Sequence, residues 1–565
     1  MFFRICRTVR LVVYTVLHLR VRQVVYRVPG IRRVVQRSPE NRVIGGAVSP
    51  PDVRFQQPPI PVTWEGLVAG ITDHPRFRFL NIEARYTPGI WSDRTRGLLW
   101  LYHLHYLNWI HTPEIDSAAI REFLGQYRCH GIHVAAGREP YPTSLRIINM
   151  VKLAATSGAT PDLTATVTED VHRLYANLEY HLLGNHLLEN GFALLWGGFF
   201  LRYRRAWLLG KRIILSQLRE QILPDGMHYE RSPMYHAIIL WRVLDTINLL
   251  RGSNGDAGDS ADGQIRILEQ VFRHYAGRML AWAQALPWSG EGEHRSGNVN
   301  DSAPGMTPTR QQLLYYGRRL GLDVAPGTLG ASGYRVLTRP GSLKLLADVG
   351  AVGPDYQPGH AHADTLAFEL YHGDTPILID TGTSTYEGGS RRAWERSTRA
   401  HNTVSIGRFD SSEVWSTFRV ARRARVTIRE DQKQRLVASH DGYRNRFGIT
   451  HTRSYDTSGS TVVITDTLSG RGAKLLSGTA TFIVAPELTV ERTADAGYSL
   501  GPVTLEFFGA GSIRTEQAEV ATGFNTRVPT TVIRVRFNRK MATTIRMSRW
   551  TGTATDSIIE KYVVS

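Results

Sequence analysis

Gly359-His360-Ala361-His362-Ala363-Asp364-Thr365-Leu366-Ala367-Phe368-Glu369-Leu370 sets two histidines, two residues apart, at the entrance to an apolar alternating run. Read as a β-strand, whose side chains repeat with period two, the run turns His360 and His362 to one face. A buried pair of imidazoles needs partners, because an unpaired polar group in apolar surroundings costs about 1–3 kcal/mol. The stretch lies in the part of the chain where short alternating runs prevail: 343–348, 425–428, 461–466, 503–508, 531–537 and 543–547. Before residue 325 the texture differs, with apolar residues at helical spacing over 98–110, 144–155, 166–183, 190–209, 234–250 and 264–285. The order is helices first, then an antiparallel sheet domain.

A chain of 565 residues predicts two or three domains. Hydrophobic and charged contents of 42% and 21% are ordinary for globular proteins and exclude wholesale disorder. The net charge of +18 suggests a polyanionic partner. Half of it sits in residues 1–42, which hold ten Arg and one Glu, so a polyanion site in the body must be argued from particular side chains. The basic start is a poor secretory signal, since no small-residue cleavage site follows, and its apolar part is too short to span a bilayer. It reads either as a helix packed on the protein's own surface or as a membrane-surface or partner contact. Residues 43–61, rich in Pro and Gly, read as a linker, and 251–262 as a loop between helices. Cys6 and Cys129 are the only cysteines, which excludes a disulfide scaffold and thiolate metal sites.

Three clusters can carry chemistry. In Asn185-His186-Leu187-Leu188-Glu189, a helix would make His186 and Glu189 neighbours, so the carboxylate could hold the imidazole tautomer while Asn185 presents an amide; plain helix capping is the alternative. In the run 225–236, Ser232-Pro233 is a helix start, which puts Tyr235 in a first turn where the helix dipole would lower its pKa from about 10. Beyond the opening motif, 376–382 reads as a buried strand ending near Asp380, and 400–406 as one beginning near His401. His362, Asp380 and His401 would make a two-nitrogen, one-oxygen set suited to zinc with an open position; core histidines bonded to backbone are the other reading.

Together these pieces resemble the heparinase II/III family of polysaccharide lyases. Asn185-His186 with Glu189, the run 225–235, Asn300-Asp301-Ser302, the His360/His362 stretch, and Arg396-Ser397-Thr398-Arg399-Ala400-His401-Asn402-Thr403 stand in the family's order over about residues 90–410. The resemblance implies a basic segment and linker at 1–60, an incomplete α/α toroid at 61–325 and an antiparallel β-sandwich at 326–565. It implies β-elimination on an acidic, uronic-acid polysaccharide, with no nucleic-acid partner. Asn185 and His186 would neutralise the substrate carboxylate, Glu189 would orient His186, and Tyr235 and His360 would act as acid and base. His362, Asp380 and His401 would hold a structural zinc that fixes the strand presenting His360. His228, Arg231, Tyr386, Arg396 and Arg399 are weaker candidates for substrate contacts. The basic start and the segment 101–106 are similar to family members associated with polysaccharide production, which would make a bacterial capsule or exopolysaccharide the substrate. The start points to the cytoplasm or its membrane surface, whereas the family's usual place is the cell envelope. Two other functions stay open. A glycoside hydrolase on the same toroid would need paired carboxylates from Glu291, Glu293 and Asp301, and a non-catalytic polysaccharide-binding protein would keep the cleft alone.

Overall fold

Long helices build the first half because apolar residues recur there every three or four positions, and some of the helix starts carry side-chain caps. Ser232 caps Pro233–Gly252 by accepting from the Tyr235 amide, and Thr160 and Thr309 cap Pro161–Tyr175 and Arg310–Arg319 in the same way. The computed structural model describes residues 2–28, 53–63, 65–68, 76–113, 115, 117–253, 259–287, 297–339, 343–493 and 497–548. Of the expected linker, 43–52 lie outside these residues, as do 254–258 of the expected loop, whose last four residues instead open the helix Asp259–Gln284.

The run expected as one helix over 190–209 is two helices, Gly184–Phe200 and Arg204–Gln221, turned at Arg202, which takes a φ of +52°. They lie so close that a Cβ on Gly198 would meet the Trp207 amide nitrogen at 2.4 Å. The 166–183 run also divides: helix ends at Tyr175, and a loop follows that carries Glu179 toward Asn190 and His186. The helices enclose one apolar core and form an incomplete α/α toroid.

The second half is an antiparallel β-sandwich. Tyr334–Arg339, Leu343–Asp348, Phe368–His372 and Thr375–Leu378 form one sheet in chain order. A ten-stranded sheet is dominated by the hairpin of Val503–Gly523 with Thr526–Met547, so the four runs expected between 461 and 547 belong to Val462–Ser469 and to these two long strands. Leu345 and Phe368 from the first sheet pack with Ile464, Phe482 and Val535 from the second. The hairpin tip returns to the toroid, where Asn525 donates to the Leu80 carbonyl at 3.0 Å and Asn81 to the Phe524 carbonyl at 2.9 Å.

The opening motif is not a strand. Residues 359–367 are turns and loop, and pairing begins only at Phe368. Side chains replace the ladder: Arg396 donates to the Ala361 carbonyl, Thr398 to that of Ala363, and Arg453 and Tyr455 to that of Leu366, which itself takes a φ of +60°. Likewise the strand expected to reach Asp380 ends at Leu378, and the one expected to begin at His401 begins at Val404. Asp380 sits just past a strand end and the histidines in the loops that lead into two strands, where the backbone can bend to aim them.

Arg453 holds two of these bends together. Buried on the larger sheet, it pairs with Asp466 at 2.7 Å and donates to the carbonyls of Leu366 at 2.8 Å and Asn402 at 2.6 Å. Arg453→Met leaves Asp466 with His451 as its remaining partner, and we expect a loss of about 3–5 kcal/mol in denaturant unfolding, the range for breaking a buried pair.

Candidate functional site

Between toroid and sandwich lies a cleft of ≈ 730 Å³. Asn185, His186, Tyr235, His360 and Tyr386 all line it, drawn from two helices and two loops far apart in sequence. Tyr235 stacks on His360 with ring centroids 3.9 Å apart, and its hydroxyl meets that of Tyr386 at 3.2 Å. Phe418 packs against both His360 and Tyr386.

Behind His360 stands Asp301. Its carboxylate contacts His360 Nδ1 at 2.8 Å through one oxygen and His362 Nε2 at 2.8 Å through the other, and Arg392 donates to both oxygens. Burial alone would raise the Asp301 pKa, but the Arg392 guanidinium and the hydrogen bonds from the two histidines outweigh it and hold the carboxyl well below the usual range. The two histidines thus share a partner as their spacing predicts, though from a loop, and the partner comes from the Asn300-Asp301-Ser302 segment at the end of the helical half. Both Asp301 oxygens are engaged by Arg392 and the two histidines, and Glu291 and Glu293, the carboxylates a hydrolase would pair with it, lie outside the described residues.

The helix start at Ser232 is as expected, but its effect on Tyr235 is not. Burial pushes the phenol well above 10, and the nearby Tyr386, Asp301 and Glu230 add to the shift. One helix terminus cannot offset desolvation of a phenolate among carboxylates.

Glu189 does not orient His186. It pairs with Arg242 at 3.0 Å on the buried side of its helix, and His186 Nδ1 contacts Glu179 at 3.0 Å. Three residues separate His186 from Glu189, yet one faces the cleft and the other the core. Burial lowers the His186 pKa, but the charge and hydrogen bond of Glu179 prevail and raise it. The Asn185 amide donates to both oxygens of the buried Glu230, at 3.0 and 3.1 Å, and Glu230 Oε2 lies 3.7 Å from His360 Nε2. Burial raises the Glu230 pKa.

Three of the weaker candidates have structural partners, and a fourth lies away from the cleft. His228 is fully buried on Gln221, and Arg231 donates to the carbonyls of Ser332 and Tyr229. Arg396 is spent on the carbonyls of Ala361, Ser416, Thr417 and Arg419. Arg399 does not line the cleft. Arginines in a loop-built site serve backbone carbonyls that a sheet would have paired. Glu179, Glu230 and Arg392 were missed: the sequence carries no signal for Glu179, seven residues from His186 in a loop, whereas Glu230 stands inside the run 225–236.

His362, Asp380 and His401 are brought together. The two rings lie 5.3 Å apart, and Asp380 contacts His401 Nδ1 at 2.7 Å. Among the described residues no group of three or more side chains stands in metal-ligand geometry. The donor set nevertheless suits a cation: His362 Nδ1, His401 Nε2 and Asp364 Oδ2 are buried without hydrogen-bond partners, and burial lowers the His362 pKa to about 4, which keeps it neutral.

Two family models match the chain: the heparinase II/III N-terminus over residues 159–271 and the heparinase II/III-like C-terminal domain over 325–548, together more than half of it. No curated protein matches in sequence. Among solved structures, a heparinase III is 16% identical, with 80% of this chain and 76% of that one covered at a TM-score of 0.59. A methylated heparinase III gene product is 19% identical, covering 81% and 74% at 0.54. The heparan sulfate lyase of Pedobacter heparinus is 15% identical, covering 83% and 80% at 0.52. These likenesses carry the fold, a toroid followed by a sandwich, and the two family models carry the membership: the chain belongs to the heparinase II/III-like family of polysaccharide lyases.

Proposed function

We propose that the protein cleaves a uronic-acid polysaccharide by β-elimination. The observation that carries this reading is the Tyr235–His360 stack, backed by Asp301 and facing Asn185 and His186 across one cleft. The C5 proton of a uronate is weakly acidic, and its removal builds charge on the neighbouring carboxylate, so that carboxylate must be neutralised first. His186, favoured as imidazolium by Glu179, meets it together with the Asn185 amide that Glu230 holds in place. The ionised Asp301 favours the Nδ1–H tautomer of His360, which leaves a lone pair on Nε2 to take the C5 proton. The electron pair forms the C4–C5 double bond, and the C4–O4 bond breaks. Tyr235, kept protonated by burial, gives its proton to the departing O4, which leaves on the neighbouring sugar as a hydroxyl. No water is consumed, and return of the proton from His360 to Tyr235 resets the pair.

Charge in the cleft favours a polymer whose anions are its carboxylates. Among the described lining residues, Arg138, Arg173 and Arg242 are balanced by Glu65, Glu139 and Glu179. Arg173 and Arg242 already hold Asp170 and Glu189. The net +18 of the chain therefore lies mostly elsewhere.

Zinc belongs to this reading as a structural ion. His362, His401 and Asp364 would hold it, while Asp380, expected as a ligand, is taken up by His401 Nδ1 and the Gly382 amide and orients that imidazole; bound there the ion would supply a fixed charge joining the loops that lead into two strands. Asp380 and Asp301 hold one nitrogen of each imidazole, which leaves the other to face the ion.

Incubation with a panel of uronic-acid polysaccharides, bacterial exopolysaccharides included, is expected to yield products with new ultraviolet absorbance from the unsaturated uronate. Tyr235→Phe should lower kcat by about 100- to 10,000-fold; retention of full activity would remove Tyr235 from the chemistry, and binding without any product would make the protein a carbohydrate-binding one. The raised His186 pKa sets a direction with pH. Its charged form is present below that pKa and lost above it, so KM should climb as pH rises through it. Glu179→Gln should move that climb to lower pH, whereas Glu189→Gln should not. Elemental analysis of the purified protein should find zinc, absent from His362→Ala and His401→Ala; wild-type zinc content in either variant would refute the ligand set.

A further inference from the structure

The N-terminal segment has its faces reversed. Phe2–Val16 is an amphipathic helix whose polar face turns toward the body of the protein: Arg10 pairs with Glu413 at 2.7 Å, Thr15 accepts from the Trp415 indole at 3.1 Å, and Arg422 donates to Tyr14. The short helix Val21–Val25 continues the attachment on the toroid, where the buried Gln23 donates to the carbonyls of Leu182 and Tyr356 and Arg20 pairs with Glu220. The opposite face carries Val9, Val12, Val13, Val16 and Leu17, spaced as one helical stripe and from 39% to 73% exposed, and Val21 extends it at 79%. A contiguous aliphatic stripe left in water marks a contact surface.

We propose that this stripe docks on an anionic lipid surface, with the helix lying in the interface plane. Residues 1–28 hold six arginines, at 4, 7, 10, 20, 22 and 27, and no acidic residue; Arg10 and Arg20 are taken up by Glu413 and Glu220, and the excess of the other four complements anionic headgroups. The stripe is purely Val and Leu, as suits acyl chains, whereas protein-interface cores are enriched in aromatic side chains. Among the described residues no helix is long and apolar enough to cross a membrane, so the contact is one of lying on it. The helix is also tied to the active-site cleft. Its partners Glu413, Trp415 and Arg422 flank the hairpin Val414–Trp415 with Arg419–Val420, whose tip delivers Phe418 to His360 and Tyr386. A lipid-bound helix would hold that wall of the cleft at the membrane.

Vesicle flotation of the full chain tests this. Wild type should float with phosphatidylcholine vesicles containing phosphatidylglycerol at least about tenfold better than with phosphatidylcholine alone. The Val13→Glu/Val16→Glu/Leu17→Glu variant should stay with the soluble fraction while unfolding at the wild-type temperature, and Leu17→Glu alone should lie between the two. Wild type that ignores both vesicle types overturns the proposal, as does a triple variant that still floats. Light scattering that finds a dimer split by the triple variant, with no flotation of wild type, overturns it in favour of a second copy of this chain.

Discussion

The buried carboxylate of Asp301 is the constraint on which the site depends. It comes from the end of the helical half, yet its ligands His360, His362, Thr383 and Arg392 belong to the sandwich. Its own carbonyl accepts from Ser232, which caps the helix bearing Tyr235. One residue therefore sets the positions of Tyr235, His360 and His362. A single carboxylate can do this because four donors meet its two oxygens, and a buried anion with fewer partners would not stay ionised. The surrounding loops inherit their shape from it: His362 also takes its backbone bond from Asn300, and Asp301 donates its amide to the His360 carbonyl.

A second carboxylate does the complementary work on the far wall. Glu179 contacts His186 and Glu230 holds Asn185, so these two cleft-facing groups each stand on a buried carboxyl. Each carboxyl is taken up by its own partner, and what the cleft presents is the imidazole and the amide.

How much of this was legible follows from what each signal measures. The order of helices before strands was readable, because hydrophobic period is local. The breaks at 176–183 and 200–204 were not, since they turn on Leu183 and Arg202 taking positive φ, which neither residue type announces. Asn185, His186, Tyr235, His360 and Tyr386 were legible as a set and all reach the cleft. Their supports were read less well: Glu189 was chosen for its helical spacing, but the helix turns it to Arg242, and the true partner of His186 lies in a loop that no periodicity announces. Arg231 and Arg396 are bonded to backbone carbonyls and His228 to Gln221, because a polar residue near a site in sequence is as often a partner of the surrounding fold as of a ligand.

The loop character of 359–367 explains why the opening motif misled about structure while its two histidines still share a buried carboxylate. A strand would have fixed His360 and His362 to one face and left both to share whatever lay opposite. A loop gives each ring its own angle, so that one reaches Tyr235 in the cleft and the other turns to His401 in the interior, with Asp301 common to both. The cost is a backbone without a ladder, met by Arg396, Thr398, Arg453 and Tyr455, which are buried or nearly so and donate to its carbonyls. Side-chain donors to backbone are thus the condition under which two histidines two residues apart can face different surroundings, and Arg396, which the sequence offered for the substrate, serves the geometry that turns one of them to the cleft.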